Sequence, residues 1–535
     1  MITSAEASTW APLRRGAFRA LWIASFVSNV GSWMQTVGAQ WLLVDEHGSP
    51  LVISLVQSAS SLPVLLLTLP AGVVAEFADR RRLLVGTQAF QVVVGATLAG
   101  VTVTGKTTPV LLLVFTFLLG CGSAAQLPAY QAFVPDLVPR AELAQAAALS
   151  SVGVNLARAV GPAIAGLLVT RLGVGGLFAL NAATFVVFAL ALLRSPSPPR
   201  APAAREAFLA GIEAGGRYVR HAPVVRRILV RLVVFAVPAN VLWALLAPLA
   251  HDRLGLGSTG YGLLLGAAGI GSVGGALVLP RLRRRFSASW LVAGAGLVFG
   301  VAMLVLGTVR SPALVLAVLV AAGVAWIAVI AGMNAATQAF LPGWVRARAL
   351  SIYQLVLFTS FAGSAALWGV VSSAIGLATT FVIAGVLLLA GAVTVPRRPV
   401  LDVATSGRET VTYWPDPGVT PAPDVETAPV LVSLRYRVGP GQQAGFSAAM
   451  ADLRNTRLRT GGTGWALYRD ARDEAVHVEQ YTVASWDEHR RQHEERLTGL
   501  DQRVQDRVEQ YTDGAAQVAH LFRLHPTKKA PGVNP

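Results

Sequence analysis

Twelve apolar runs, each longer than 20 residues, occupy most of the first 400 positions. A helix needs roughly 20 apolar residues to cross the hydrocarbon core of a bilayer, so each run predicts a membrane-spanning helix. The runs cover 18–44, 50–77, 83–104, 109–129, 142–170, 173–193, 228–250, 260–280, 288–309, 312–339, 349–373 and 375–395. We therefore predict an all-α membrane protein with twelve transmembrane helices, followed by a smaller domain of different composition.

The basic charge lies in the apolar part of the chain. The sequence contains 44 Lys and Arg against 28 Asp and Glu, a net charge of +16. Residues 1–400 hold 28 of the basic and 10 of the acidic residues, whereas residues 401–535 hold 16 and 18. A nucleic-acid-binding domain would concentrate basic residues on a soluble surface. The distribution argues against nucleic acid as a partner and indicates a membrane protein with a soluble appendage.

The positions of the basic residues also predict an orientation. If the N-terminus is inside, 23 arginines fall on inner segments and only four basic residues fall on outer loops. Lys and Arg accumulate on the cytoplasmic side of membrane proteins. We therefore expect a multi-pass protein of the cell membrane with both termini in the cytoplasm.

Three short motifs recur in order in the two halves of the apolar region. Gly72–Arg82 recurs as Gly275–Arg285, and Gln131–Pro135 recurs as Gln338–Pro342. The third pair is Ala148–Ser150 and Ala349–Ser351. A repeat containing six spans, an even number, predicts two halves of the same orientation, an architecture that suits alternating access around a site near the midplane. The predicted domains are a six-helix half at 1–193, a cytoplasmic connector at 194–224, a second half at 225–395, a linker at 396–428, a ferredoxin-like cytoplasmic domain at 429–525 and a tail at 526–535.

Several segments resemble the major facilitator superfamily. Residues 72–82, G-V-V-A-E-F-A-D-R-R-R, are similar to its loop signature G-x-x-x-D-R-x-G-R-R, with Glu76 at the acidic position. Residues 31–43 and 155–168 resemble the transmembrane secretion-effector branch, which includes the enterobactin exporter and macrolide-efflux proteins. The resemblance covers about residues 10–395. It implies a transporter, not an enzyme, that exports a drug, siderophore or secondary metabolite as a proton-coupled antiporter and needs no metal or cofactor.

Two groups of residues are candidates for gating. Glu76 and Asp79 lie beside Arg80 and Arg81, and we expect this cluster to form an inner-face charge latch rather than a proton carrier. Gly161 and Pro162 belong to a segment that resembles the fifth-helix motif of drug antiporters, which marks exporters in that family. Ordinary packing of small residues is the alternative interpretation.

Arg158 is the one ionisable residue deep within a predicted span. Such residues are costly in the membrane and usually face a cavity or a partner. Ser151, Asn155 and Arg158 share one helix face, which predicts a substrate or gating contact. A structural bond to carbonyls or to a carboxylate is the alternative.

The superfamily's architecture implies that the first, fourth, seventh and tenth spans line the cavity. Together with Asn155 and Arg158, the candidate lining residues are Asn29, Trp33, Gln40, Asn240, Trp243, Trp326 and Asn334. Apolar walls with a few polar and aromatic groups suit an amphipathic molecule, although any one of these residues can instead bond between helices. Since no Asp or Glu lies in mid-span, proton coupling rests on the resemblance alone.

In about the last hundred residues, segments with the pattern of a strand and segments with the pattern of a helix follow one another, which is typical of a small α+β domain. The pattern predicts the order β-α-β-β-α-β of a ferredoxin-like fold, with a charged helix from Trp486 to Tyr511. It resembles the dimeric domains of antibiotic-biosynthesis monooxygenases, which implies homodimerisation. We expect His489 and His493, four residues apart, to lie on a solvated helix face rather than bind metal. A membrane-tethered monooxygenase or a ligand-sensing protein that acts through this domain is the alternative function.

Overall fold

The computed structural model describes residues 10–77, 79–196, 208–397, 411 and 428–522. For residues 68, 69, 71–77, 140, 144, 208–213 and 347 it describes the backbone alone. Most of the predicted linker at 396–428 and the whole terminal tail at 526–535 lie outside the described residues. The middle of the predicted connector, 197–207, also lies outside them.

The chain divides into two compact units. The first consists of residues 1–204, 229–335 and 353–402, and the second of residues 205–228, 336–352 and 403–535. The second unit therefore combines the C-terminal domain with two segments that sequence analysis assigns to the membrane region and its connector.

The helices before residue 400 have the following bounds. In chain order they are α1 Gly16–Asp45, α2 Pro50–Phe77, α3 Arg80–Val103, α4 Pro109–Phe133, α5 Leu143–Arg194, α6 Phe208–His221, α7 Pro223–Ala239, α8 Val241–Pro248, α9 Ser258–Arg285, α10 Ala288–Thr308, α11 Pro312–Phe340, α12 Gly343–Ile375 and α13 Leu377–Val393. Short polar side chains cap the starts of three of these helices. Asp79, Thr108 and Ser287 accept a hydrogen bond from a backbone amide in the first turn of α3, α4 and α10, respectively.

Within the described residues, nine helical segments are long and apolar enough to cross a membrane. The predicted runs 142–170 and 173–193 form one element, α5, which is interrupted only by a non-helical backbone conformation at Gly173 (φ 66°, ψ 173°). The apolar helix α13, with 17 residues, is shorter than these nine and is not one of them. The structure is thus a mostly helical membrane protein with about nine apolar helices, and the expected twelve do not all appear as separate spans.

In the first unit, α5 is the central helix. It packs against α1, α3 and α9, while α2 packs against α4 and α10 packs against α13. Glycines permit the closest of these contacts, because a Cβ at Gly269 of α9 would lie 2.3 Å from the Cα of Ala159 in α5. The α1–α5–α9 contact holds the walls of the cavity described below.

The C-terminal domain contains a four-stranded antiparallel sheet. Its strands are β1 Val430–Arg437, β2 Thr463–Arg469, β3 Val476–Val483 and β4 Gln517–Phe522, in the spatial order β2-β3-β1-β4. Alternate residues of β1 and β3 are buried against α14 Gln443–Thr460, as the period-2 pattern predicts. The elements follow one another in the order inferred from sequence.

The predicted helix from Trp486 to Tyr511 is wrong as a single element. It is divided into α15 Trp486–Arg491, one π-helical turn Gln492–Arg496, and α16 Gly499–Glu509. The interruption is explained by a capping box in which Thr498 and Asp501 satisfy each other's backbone amides at the start of α16.

The expectation of a solvated face for His489 and His493 is also wrong. The two side chains are 3% and 6% exposed, and the His489 Nε2 atom lies 3.0 Å from the His520 Nε2 atom on β4. The ring of Trp486 packs against His489 and His520. No group of His, Cys, Asp and Glu in the described part of the chain is arranged to hold a metal ion.

Within the second unit, α6 packs against α14, and arginine–aromatic contacts extend to the start of α12. The Trp344 ring lies edge-on to Tyr218 and 4.7 Å below the Arg496 guanidinium. Arg459 of α14 lies over the other aromatic ring, that of Tyr218. These contacts join the C-terminal domain to the predicted connector before the second half and to the segment between the spans 312–339 and 349–373.

Candidate functional site

The first unit contains a cavity of about 260 Å³ between α1, α2, α5, α8, α11 and α12. Its walls are apolar and aromatic, with amide and hydroxyl groups and one charge distributed among them. The lining residues are Asn29, Ser32, Trp33, Thr36, Gln57, Ser60, Ser61, Arg158, Asn240, Trp243, Trp326, Phe358 and Phe361. A concave site of this composition is suited to a small amphipathic molecule.

Aromatic rings form a continuous wall of the cavity. Trp33 of α1 lies 6.1 Å from Trp243 of α8, which in turn packs edge-on against Trp326 of α11 at 5.4 Å. Phe361 of α12 stacks on Trp326 at 5.7 Å, and Phe358 follows. Rings contributed by four helices therefore offer one extended apolar surface to a ligand.

Arg158 of α5 supplies the single charge among the described lining residues. Its guanidinium lies 5.6 Å from the centre of the Trp33 ring, a cation–π distance. Its Nε atom is buried and has no hydrogen-bond partner among the described residues. Among the described residues, the arginine is thus positioned by an aromatic ring and not by a carboxylate.

Asn240 lies between α7 and α8, where α12 holds its amide in place. The Nδ2 group donates to the Phe361 carbonyl at 2.9 Å and to the Ser364 hydroxyl at 3.0 Å. The Oδ1 atom is buried without a partner in the described part of the chain, and so are the Nε1 atoms of Trp243 and Trp326. Since buried polar groups are nearly always paired, these atoms are available for hydrogen bonds to a ligand.

The structure brings six of the nine proposed cavity residues together around the cavity. They are Asn29, Trp33, Arg158, Asn240, Trp243 and Trp326. Gln40 shares a face with Trp33 but lies seven residues, about 10 Å, further along α1, beyond the cavity. There its side chain donates to the Trp243 carbonyl at 3.1 Å.

Asn155 and Asn334 are not among the lining residues either. The short Asn155 side chain donates back to the Ser151 carbonyl of its own helix at 2.9 Å, whereas the longer Arg158 reaches the cavity. Asn334 follows Trp326 by eight residues, about 12 Å along α11.

Sequence reasoning missed the contributions of α2 and α12. Gln57, Ser60 and Ser61 lie at i, i+3 and i+4, a polar face that the same analysis applied to α2 would have identified. The expected fourth span contributes no lining residue. Instead, α4 packs against α2, where a Cβ at Gly120 would lie 3.0 Å from the Ser60 carbonyl oxygen.

The residues proposed for a charge latch bond to several helix ends. Asp79 caps α3 by accepting from the Arg82 amide at 2.8 Å. Arg80 donates to Asp136 at 3.0 Å and to the Ala132 carbonyl at 2.8 Å. Arg81 donates to the Leu192 carbonyl at 2.9 Å and to that of Leu193. The side chain of Glu76 lies outside the described residues.

Gly161 and Pro162 lie where α5 touches both α1 and α9. A Cβ at Gly161 would lie 2.7 Å from the Cβ of Trp33 and 3.2 Å from the Val30 carbonyl oxygen. The Pro162 carbonyl oxygen would lie 2.6 Å from a Cβ at Gly262 of α9. Close packing of small residues, the alternative interpretation of this motif, is therefore present, and it positions Trp33.

Residues 7–529 match the family described as transmembrane secretion effector. The chain belongs to this family. The match extends across the helical region and into the C-terminal domain.

Relatives of the chain include efflux proteins. The multidrug efflux pump Tap of Mycolicibacterium fortuitum is 28% identical over 405 residues, which cover 73% of this chain and 98% of that protein. The staphyloferrin A transporter of Staphylococcus aureus is 31% identical over 146 residues, 27% of this chain and 37% of that protein. Macrolide efflux protein A of Streptococcus pyogenes is 24% identical over 34% of this chain and 45% of its own length.

Solved transporter structures share the fold. A bacterial homologue of the lysosomal transporter Spinster, in an inward-facing conformation, has a TM-score of 0.58 at 17% identity and covers 72% of this chain and 95% of its own. The nucleoside transporter NupG has a TM-score of 0.58 at 13% identity over 71% of this chain and 98% of its own. The chain is a multi-pass membrane transporter of the major facilitator superfamily, and its family and relatives indicate a transporter rather than an enzyme.

Proposed function

We propose that this protein exports an amphipathic small molecule by alternating access, driven by the proton gradient. The observation that supports this function is the cavity, in which an aromatic wall, scattered amide and hydroxyl groups and one arginine surround a space of about 260 Å³. An anchor for a soluble enzyme would need none of these features. The efflux relatives favour export over import.

Twelve membrane crossings in two six-helix halves are part of this proposal. At about 1.5 Å per residue, the 52 residues of α5 extend about 78 Å, more than twice the roughly 30 Å of a hydrocarbon core. The backbone break at Gly173 divides this length into two crossings. The 30 residues of α1 are long enough for another crossing despite their polar groups. Together with the internal repeat, these lengths support rocking of two similar halves. The excess of arginines on the predicted inner segments supports a cytoplasmic location of both termini.

Since no acidic residue is found among the described lining residues, we assign the coupling proton to no residue of the cavity. We propose that Asp79, Arg80 and Arg81 act as a conformational latch at the inner face. Their bonds connect α3 with the end of α4 and the end of α5, so the latch would hold together the inner ends of these helices of the first half. Glu76 is assigned to the same latch from the sequence motif.

The ferredoxin-like C-terminal domain is proposed to pair with its copy in a second molecule. The sheet face opposite α14 exposes Tyr468 and Leu521 by 54% and 51%, and apolar exposure of this kind favours an interface. In the alternative function, a membrane-tethered monooxygenase or ligand-sensing protein, this domain would act on a compound by itself.

Accumulation of dyes and drugs in cells tests the function. Cells that carry the protein should accumulate less of at least one amphipathic compound than cells that lack it, and an uncoupler should abolish the difference. Export that continues after collapse of the proton gradient would refute proton coupling. If no compound is exported and the protein instead oxidises one, the enzyme alternative is correct.

A further inference from the structure

We propose that the cavity binds an amphipathic acid: a compact molecule with an aromatic or apolar body and an anionic oxygen group, such as a carboxylate, held by Arg158. This inference rests on the proposed export function and names the chemical class of its substrate. It concerns the residues of the first unit alone.

The first argument is charge. Arg158 makes no ion pair within the described part of the chain, and its guanidinium packs over the Trp33 ring. A charged side chain within a membrane segment is costly and usually has a partner. The described acidic residues of the helical region lie elsewhere. Glu142 pairs with Arg15, Asp136 with Arg80 and Asp252 with His251, while Asp45 and Glu46 lie at the end of α1 and Asp79 caps α3. An anionic ligand would supply the missing counter-charge.

The second argument is the excess of hydrogen-bond donors. Arg158 Nε, Trp243 Nε1 and Trp326 Nε1 are buried and lack acceptors among the described residues, and each of these groups can only donate. Among the fully buried atoms of the described lining residues, Asn240 Oδ1 is the one acceptor without a partner. A ligand rich in acceptors pairs with these three donors, whereas a cationic ligand would meet the like charge of Arg158.

The third argument concerns the remainder of the molecule. The guanidinium fork matches a carboxylate, and Trp33 holds it against the same aromatic wall that would contact the ligand body. The cavity volume of about 260 Å³ lies just below the roughly 300–1,000 Å³ of typical ligand pockets. The anionic group and the apolar body of the ligand would therefore bind next to each other, and a ligand with a compact ring system fits this cavity best.

Binding to the full-length protein in phosphatidylcholine nanodiscs tests this inference. Three probes share one body and differ in the polar group: 1-naphthaleneacetate, 1-naphthaleneacetamide and 2-(1-naphthyl)ethylamine. We expect calorimetric titration to give about tenfold tighter binding of the acid than of either other probe. In Arg158→Gln the acid should bind about 10- to 100-fold more weakly, with the amide unchanged.

Two further variants make the result specific. Arg158→Lys keeps the charge without the planar fork, so it should retain part of the preference for the acid. Arg310→Gln makes the same chemical change at an exposed residue that does not line the cavity, and it should bind like the wild type. If Arg158→Gln does not fold, the comparison of acid with amide in the wild type and in Arg158→Lys still decides the question.

Equal binding of the acid and the amide, unchanged acid binding in Arg158→Gln, or absence of acid binding would each overturn the inference. A lipid phosphate is a second source of the same anionic chemistry. If added phosphatidylglycerol abolishes acid binding, a lipid occupies Arg158 and the assignment to a transported acid is wrong. Unchanged binding supports it.

Cell export of neutral dyes separates this inference from the proposed function. If dyes are exported but the acid is neither bound nor exported, export stands and the substrate class is wrong. If the acid binds through Arg158 but no compound is exported, the binding site stands and the export function is wrong.

Discussion

The Tyr261 hydroxyl donates a hydrogen bond to Gln40 Oε1 and thereby joins the start of α9 to the end of α1. Both side chains are 1% exposed, and Gln40 also donates to the Trp243 carbonyl beside the cavity. Trp41 stacks on Tyr261 and extends the contact. Polar and aromatic contacts thus close the bundle at the end where α1 finishes and α9 begins.

Tyr261→Phe should favour separation of these helices. Loss of the hydroxyl leaves Gln40 Oε1 buried without its donor, a cost of about 1–3 kcal/mol to the closed arrangement. In a Cys121→Ala background, spin labels at the exposed positions Glu46 and Asp252 should show an added population at longer distance. Tyr353→Phe removes a hydroxyl that donates to the Ile330 carbonyl, and it should leave this distance unchanged. An unaltered distribution in Tyr261→Phe would show that the bond does not hold the helices together.

Gly161→Ala should impair both stability and transport. The new methyl group would lie 2.7 Å from the Trp33 Cβ, so α1 and α5 must separate or Trp33 must move within the cavity. Overpacking of this kind costs about 1–3 kcal/mol. A thermal unfolding midpoint in detergent and the initial rate of efflux should both decrease.

Gly86→Ala is the matched control for this substitution. It also lies within a helix, α3, but has nothing within 4 Å of the added methyl group. Because Ala is the better helix former by about 1 kcal/mol, this variant should be as stable as the wild type or more stable. If both variants behave alike, the close approach of α1 and α5 does not matter.

The contrast between Gln40 and Trp33 explains how much of the site could be predicted. Helical periodicity correctly placed both residues on one face of α1, but it carries no information about where a cavity ends along that face. The same periodicity places Gln57, Ser60 and Ser61 on one face of α2, whereas the superfamily's architecture implies that other spans line the cavity. The alternation of apolar and polar residues predicted β1 and β3, because one face of each strand is buried.

Burial of His489 could not be predicted from its own segment. The surrounding residues are charged and suggest a solvated helix, whereas the ring is covered by His520 of β4, which is distant in sequence, together with the nearby Trp486. The break before α16, in contrast, is indicated by the local sequence, because Thr498-Gly-Leu-Asp501 matches a capping box. The continuous run of charged residues favours a single helix instead.

Asp136→Asn tests the proposed latch. The Arg80–Asp136 pair is partly exposed, at 25% and 30% of the side chains, so its loss should change stability by less than about 1 kcal/mol. The efflux rate should change more than stability does if the pair differs between conformations. The exchange Arg80→Asp with Asp136→Arg should restore part of the rate.

The Arg15–Glu142 pair provides a comparison for the latch. It is similar in length, 2.9 Å, and also connects distant segments, but it does not belong to the motif. Arg15→Gln should therefore leave the efflux rate close to that of the wild type. An equal loss in both variants would indicate a general requirement for surface ion pairs.

Trp344→Leu should loosen the C-terminal domain. The indole lies 4.7 Å from the Arg496 guanidinium, and cation–π contacts contribute about 0.5–2 kcal/mol. Arg496 keeps its bonds to Glu488 and to the Thr460 carbonyl, so the domain itself should remain folded. Hydrogen exchange should become faster at residues 485–496 and 208–221 of the full-length protein. Trp290→Leu alters an indole that is 65% exposed and should have no such effect.

The histidine cluster of the C-terminal domain should make that domain sensitive to acid. Burial lowers the pKa of His489 to about 4 and that of His493 to about 2, and neighbouring histidines contribute to both shifts. Because the unfolded chain binds protons at the ordinary pKa of about 6.5, stability is complete above that pH and decreases as the pH falls from 6.5 toward 4. Within that window, each histidine lowers the free energy of unfolding by about 1.4 kcal/mol per pH unit.

The unfolding midpoint of the domain can be followed by hydrogen exchange in the full-length protein. We expect this midpoint to decrease when the pH is lowered from about 7 to about 5. It should fall less in His493→Asn, and a midpoint independent of pH would contradict burial of the cluster.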